Sequence, residues 1–156
     1  MIFVFDTSAF IDLNNYYPGV FKSVWAGLDQ MVAAGQISST REVWNELDRT
    51  TISRPVHQWA KQNRQIFTTP TGDELKFVAT ILRVSRFQQL IGSKQQLMGT
   101  PVADPFVVSC AKTRQGTVVT QEQLKPNAAK IPNVCQHFQV PCVNLEAFMT
   151  SQRWSF

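Results

Sequence analysis

Met1-Ile2-Phe3-Val4-Phe5 is an unbroken apolar run of β-branched and aromatic residues, and it ends abruptly at Asp6. A run this short, with no polar alternation, suits a strand buried on both faces, the place strands occupy in a helix-covered parallel sheet. A carboxylate directly after such a strand sits at the mouth of the core. Desolvation there is costly unless the group caps a turn or meets a cation. Asp6 therefore reads two ways, as the cap of a following helix with Thr7 and Ser8 assisting, or as part of a site at the carboxyl end of a strand. The same run lacks the basic flank and the length of a signal peptide, and no window approaches a membrane span. The expectation is a cytoplasmic protein with no membrane partner.

Downstream, strands alternate with helices. The segment Pro18–Ala34 places Val20, Phe21, Val24, Trp25, Leu28, Met31 and Val32 at helical spacing and ends at Gly35. Ile37–Ser39 reads as a short strand, followed by a helix through Val43, Trp44 and Leu47 that Ser39 or Thr40 can cap. Arg54–Phe67 reads as one helix and Asp73 to about Leu90 as a longer one. Gly92–Pro101 reads as a loop. Asp104-Pro105 then opens a helix that runs to Gly116. Thr117–Thr120 is a strand, Gln121–Lys130 a polar loop, Ile131–Phe138 a helix, Val140–Val143 a last strand and Leu145–Met149 a last helix. This order predicts an α/β fold, a three-layer α/β/α sandwich around a parallel sheet of four to five short strands.

At 156 residues, 44% hydrophobic and 17% charged, the chain fits one globular domain over 1–156, without repeat or linker. The formal charge of +4 and the pI of about 9.2 lean toward an anionic partner such as nucleic acid. Cys110, Cys135 and Cys142 stand among apolar neighbours without C-x-x-C spacing, which reads as buried reduced thiols. His57 and His137 lack any ligand spacing.

The acidic residues number only 11, so the placement of each can be weighed. Asp104 reads as a helix cap whose second oxygen remains free for a metal. Glu122 follows the strand Thr117–Thr120 by two residues, either as a solvated loop residue or as a further carboxylate at a strand end. Glu42 and Glu46 lie four apart on one helix face; Glu46, next to core Leu47, is preferred over the sheet mouth, with Glu42 its possible substitute. Two carboxylates 4 Å apart repel by about 4 kcal/mol at an effective dielectric near 20. A group of three or four therefore calls for a divalent cation, and hard oxygen donors select Mg2+ or Mn2+ over zinc. Lys112, Arg114 and Lys125 stand near Glu122 in sequence and are candidates for phosphate contact.

Val4-Phe5-Asp6-Thr7-Ser8 resembles the opening of PIN-domain nucleases. Glu46-Leu47, Ala103-Asp104-Pro105-Phe106 and Val118-Val119-Thr120-Gln121-Glu122 resemble their later acidic elements, in family order over nearly the whole chain. The resemblance implies a Mg2+- or Mn2+-dependent ribonuclease, closest in form to the toxins of prokaryotic toxin–antitoxin pairs. It further implies RNA as substrate, a protein antitoxin as partner and a homodimer. Asp6, Glu46, Asp104 and Glu122 take the catalytic, metal-binding role, and Ser8 and Thr120 hydrogen-bond the acidic ligands or the water beside them. Glu122 departs from the Asp or Asn of many relatives, and the segment between Glu46 and Asp104 is long and rich in aromatic residues.

Two rivals differ in class. A phosphotransferase of the haloacid-dehalogenase kind needs a second Asp where this chain has Ser8. A PIN-like scaffold that binds RNA or protein without cutting needs only the basic surface.

Overall fold

A computed structural model describes residues 1–91 and 102–156; the expected loop Gly92–Pro101 lies outside the described residues. Strand β1 (Phe3–Phe5) is the centre of the sheet, fully buried as its apolar run requires. It pairs in parallel with β2 (Ile37–Thr40) on one side and β4 (Thr117–Val119) on the other. β3 (Phe67–Thr68) and β5 (Cys142–Val143) complete a five-stranded sheet of order β3-β2-β1-β4-β5, with every pairing parallel. The α/β expectation therefore holds, at five strands.

Phe3 and Phe5 turn to one face of the sheet, where each packs edge-on against Phe148 at a ring separation of 5.0 Å. Phe148 belongs to α8 (Leu145–Ser151). Val4, between them, turns to the other face, as alternation along a strand demands. α6 (Ala103–Arg114) packs on β1, β2 and β4 and against α5 (Gly72–Leu82). The remaining helices are α1 (Thr7–Asp12), α2 (Lys22–Ala33), α3 (Arg41–Thr50), α4 (Pro55–Gln62) and α7 (Ile131–Phe138). None of the described helices is long and apolar enough to cross a membrane.

Several boundaries differ from the sequence reading. The Pro18–Ala34 helix starts only at Lys22, because Val20 and Phe21 close a turn onto the carbonyl of Tyr17. The expected Arg54–Phe67 helix stops at Gln62, passes through a 3-10 turn at Arg64–Ile66 and becomes the edge strand β3. The Asp73–Leu90 helix begins at Gly72, where Thr71 and Glu74 form a capping box. It ends at Leu82, since β-branched Val84 takes an extended backbone before a 3-10 stretch at Ser85–Leu90. The last strand shrinks to Cys142–Val143: the Val140 N–H bonds Cys135 O at 2.8 Å, and Pro141 has no N–H to give. Asp104 is not the cap of its helix, which starts at Ala103 with Val102 before it.

The turn from α6 into β4 shows how tightly the sheet is assembled. Gln115 takes a left-handed backbone, φ 55°, and the Gly116 N–H returns to Ala111 O at 2.8 Å. A side chain at Gly116 would place its Cβ 2.7 Å from Ile2 O, so only glycine lets β4 lie against β1 here.

Candidate functional site

Asp6 follows β1 and caps α1: its Oδ1 accepts the Ala9 N–H at 2.9 Å. The Ser8 hydroxyl stands 2.9 Å from both carboxylate oxygens, and Thr120 Oγ1 donates to Oδ2 at 2.7 Å. The capping role is thus carried by a buried side chain. Thr120 directly follows β4, and its Oγ1 accepts the Glu122 N–H at 3.1 Å, which fixes the strand exit that carries Glu122. Ser8 likewise accepts the Gln121 N–H at 3.0 Å.

Glu46 approaches from α3. Its Oε2 accepts from Thr7 Oγ1, and its Oε1 accepts the Ala103 N–H at 3.2 Å, one of the unpaired donors at the start of α6. Glu46 is thus held between the first turns of α1 and α6. Glu42, one turn earlier, is buried and takes the Arg41 guanidinium at 3.0 Å; its other oxygen has no partner among the described residues. Glu122 Oε2 accepts the Ile131 N–H at 3.3 Å, at the start of α7.

Asp104 is the odd member, since its carboxylate has no hydrogen-bond donor among the described residues. Burial, then the negative charges of Glu122, Asp6 and Glu46, push it up to about 8, with Lys130 opposing. Burial raises Asp6 to about 6 against the donors Thr120, Ala9 and Ser8, and Glu122 adds to the rise. Glu122 is also raised, by burial first and by Glu46, with the Ile131 N–H and Lys130 lowering it. These interactions bring Asp6, Glu46, Asp104 and Glu122 into one electrostatic group at the carboxyl ends of β1 and β4, and Glu42 is not among the charges acting on it.

Among the described residues, no three His, Cys, Asp or Glu side chains are already closed to the spacing of a coordinated ion. The chemistry of Asp6, Glu46, Asp104 and Glu122 nonetheless fits a hard divalent cation: all four are carboxylates, and Asp104 has no donor among the described residues to offset its burial.

Sequence reading missed three supports. Thr7 and the Ala103 N–H hold Glu46, a pairing no local pattern announces. Gln121 bridges elements, donating to Asp12 Oδ2 at 2.9 Å and accepting the Leu145 N–H at 2.8 Å. Lys130, with Gln123, Lys125 and Glu122, lines a cavity of about 240 Å³ beside the carboxylates. Lys112 and Arg114 instead lie away from the group: Lys112 reaches Phe138 O at 3.0 Å, and Arg114 binds Ser38 and Thr68 at 2.9 and 3.1 Å.

A central parallel sheet, helices on both faces and carboxylates at its strand ends define a PIN-like fold, the class that the sequence motifs resemble. The chain belongs to the family described as Domain of unknown function (DUF4411), which matches residues 3–156. No curated protein matches it. Among solved structures it is similar to VapBC2 from Rickettsia felis bound to a DNA fragment from their promoter. The TM-score is 0.51 at 13% identity, over 92% of this chain and 98% of that one. It also aligns with PAE2754 from Pyrobaculum aerophilum, with a TM-score of 0.48 at 12% identity, over 97% and 96% of the two chains.

Proposed function

We propose that the chain is a Mg2+- or Mn2+-dependent endoribonuclease, the toxin of a toxin–antitoxin pair, acting in the cytoplasm. The observation that carries the reading is Asp104: a carboxylate without a hydrogen-bond donor among the described residues, set among three others at the strand ends. Asp6, Glu46, Asp104 and Glu122 would hold the cation, which when bound supplies a polarised water and positive charge for phosphodiester hydrolysis. The protein supplies the orientation. Thr120, Ser8 and the Ala9 N–H aim Asp6. Thr7 and the Ala103 N–H fix Glu46, and the Ile131 N–H fixes Glu122. Lys130 and Lys125 stand beside Glu122, where a phosphate of the substrate would meet positive charge.

The choice of RNA, the antitoxin partner and a homodimer rest on the sequence resemblance, with which the shared fold of the Rickettsia felis VapBC2 structure is compatible. A PIN-like scaffold that binds without cutting draws on a different observation. Three of the four carboxylates already accept hydrogen bonds from the protein, so the group can stand as a structural network.

Cleavage of structured and unstructured RNA with Mg2+, Mn2+ or EDTA separates the two. Wild type is expected to cut only with a divalent ion, and Asp6→Asn and Asp104→Asn are expected to be inactive while folded. Absence of cutting under every ion, or cutting that survives both substitutions, would favour the scaffold.

A further inference from the structure

Cys135 on α7 and Cys142 on edge strand β5 stand side by side. Their thiols interact at close range, and both line a cavity of about 380 Å³ whose wall includes Thr120 and Glu122. The chain between them turns back on itself: Gln139 takes a left-handed backbone, φ 57°, and the Val140 N–H bonds Cys135 O at 2.8 Å. Both cysteines are reduced; Cys135 is 1% exposed and Cys142 is half-buried.

We propose that Cys135 and Cys142 form a reversible dithiol–disulfide site, oxidised by exchange with small-molecule disulfides. Cys142 is the residue a small disulfide reaches, because it is the accessible one. The neighbouring Cys135 thiol also holds the Cys142 thiol below its usual value, against burial and the nearby carboxylates. Cys135, 1% exposed, is out of reach of a small disulfide, which suits it to the second step rather than the first. The Cys142 thiolate attacks one sulfur of the disulfide R–S–S–R, breaking that bond and releasing RS−, which takes up the proton Cys142 lost. Cys135 then gives its proton to solvent and attacks the Cys142 sulfur of the mixed disulfide, expelling the second RS−, which is protonated in turn. Two protein thiols are oxidised to one bridge, and one R–S–S–R is reduced to two R–SH. Cys110, 0% exposed and with its thiol raised to about 11 mainly by burial, takes no part. The bridge would tie α7 to β5 across the cavity wall that carries Thr120 and Glu122.

The test treats the native full-length chain with oxidised glutathione and follows intact mass and a non-reducing peptide map. The expected product has lost two hydrogen atoms, links the peptides of residues 135 and 142, keeps Cys110 free and reverts with dithiothreitol. Cys135→Ser should retain a glutathione adduct on Cys142, and Cys142→Ser should stay unmodified. A wild-type chain that ends as a stable glutathione adduct, or with three free thiols, would overturn the proposal whether or not the variants fold.

Discussion

Asp104 carries a conflict between stability and chemistry. Its carboxyl stands at about 8 in the fold against an ordinary 3.8, so between those values the folded chain holds a proton that the unfolded chain releases. Asp6, at about 6, has the same sign. The stability these two groups contribute is therefore fullest below pH 3.8 and is lost as pH rises toward 8. Without metal, the melting temperature of Asp104→Asn should exceed that of wild type at pH 8. The gain should be about 2–4 °C for each kcal/mol of repulsion relieved, and it should vanish near pH 4. Thermal melts in EDTA across that range check it; a variant less stable than wild type at pH 8 would mean that Asp104 is not a repelled charge. The two glutamates of α3 part in the same way. Glu46→Gln should reduce RNA cleavage to background, whereas Glu42→Gln, whose carboxylate meets Arg41, should leave it near wild type. Rates measured on both variants settle the choice that helix spacing alone left open. Spacing placed both on one face, and only the contacts of Glu46 with Thr7 and Ala103 separate them. Arg114 teaches the reverse lesson. Near Glu122 in sequence, it lies at the far end of α6, where Ser38, Thr68 and Glu74 occupy its guanidinium.

At the scale of elements, legibility followed the length of the apolar signal. β1 announces itself by an uninterrupted buried run, and α7 was read at its observed bounds. β3, two residues long, carries no periodicity, and only pairing with β2 makes it a strand, so Arg54–Phe67 looked like one helix. The break after Leu82 was equally hidden, because the apolar spacing continues through Phe87 into a 3-10 stretch. Gly116 decides how α6 hands over to β4. Gly116→Ala should push that turn off the Ile2 carbonyl and destabilise the chain by about 1–3 kcal/mol, the range of overpacking in a filled interior. Urea unfolding with an unchanged slope would register the loss; an unaffected midpoint would show that the turn can yield.

For the whole molecule, the parallel sheet and the order of acidic residues along the chain were legible, because a buried strand, an acid at its end and a helix behind it recur as local patterns. The strand order, with β1 at the centre, was not, since it arises from pairing between distant segments. The chain carries a net charge of +4, which favours the approach of a polyanion. The most direct check of this account is calorimetric titration of Mn2+ into metal-free protein near neutral pH, in buffers of different ionisation enthalpy. Saturable binding with proton release is expected, since burial and its acidic neighbours raise Asp104 to about 8 and a cation would displace that proton. Loss of that binding is expected in Asp104→Asn. Absence of binding to wild type, or equal binding by the variant, would contradict this account.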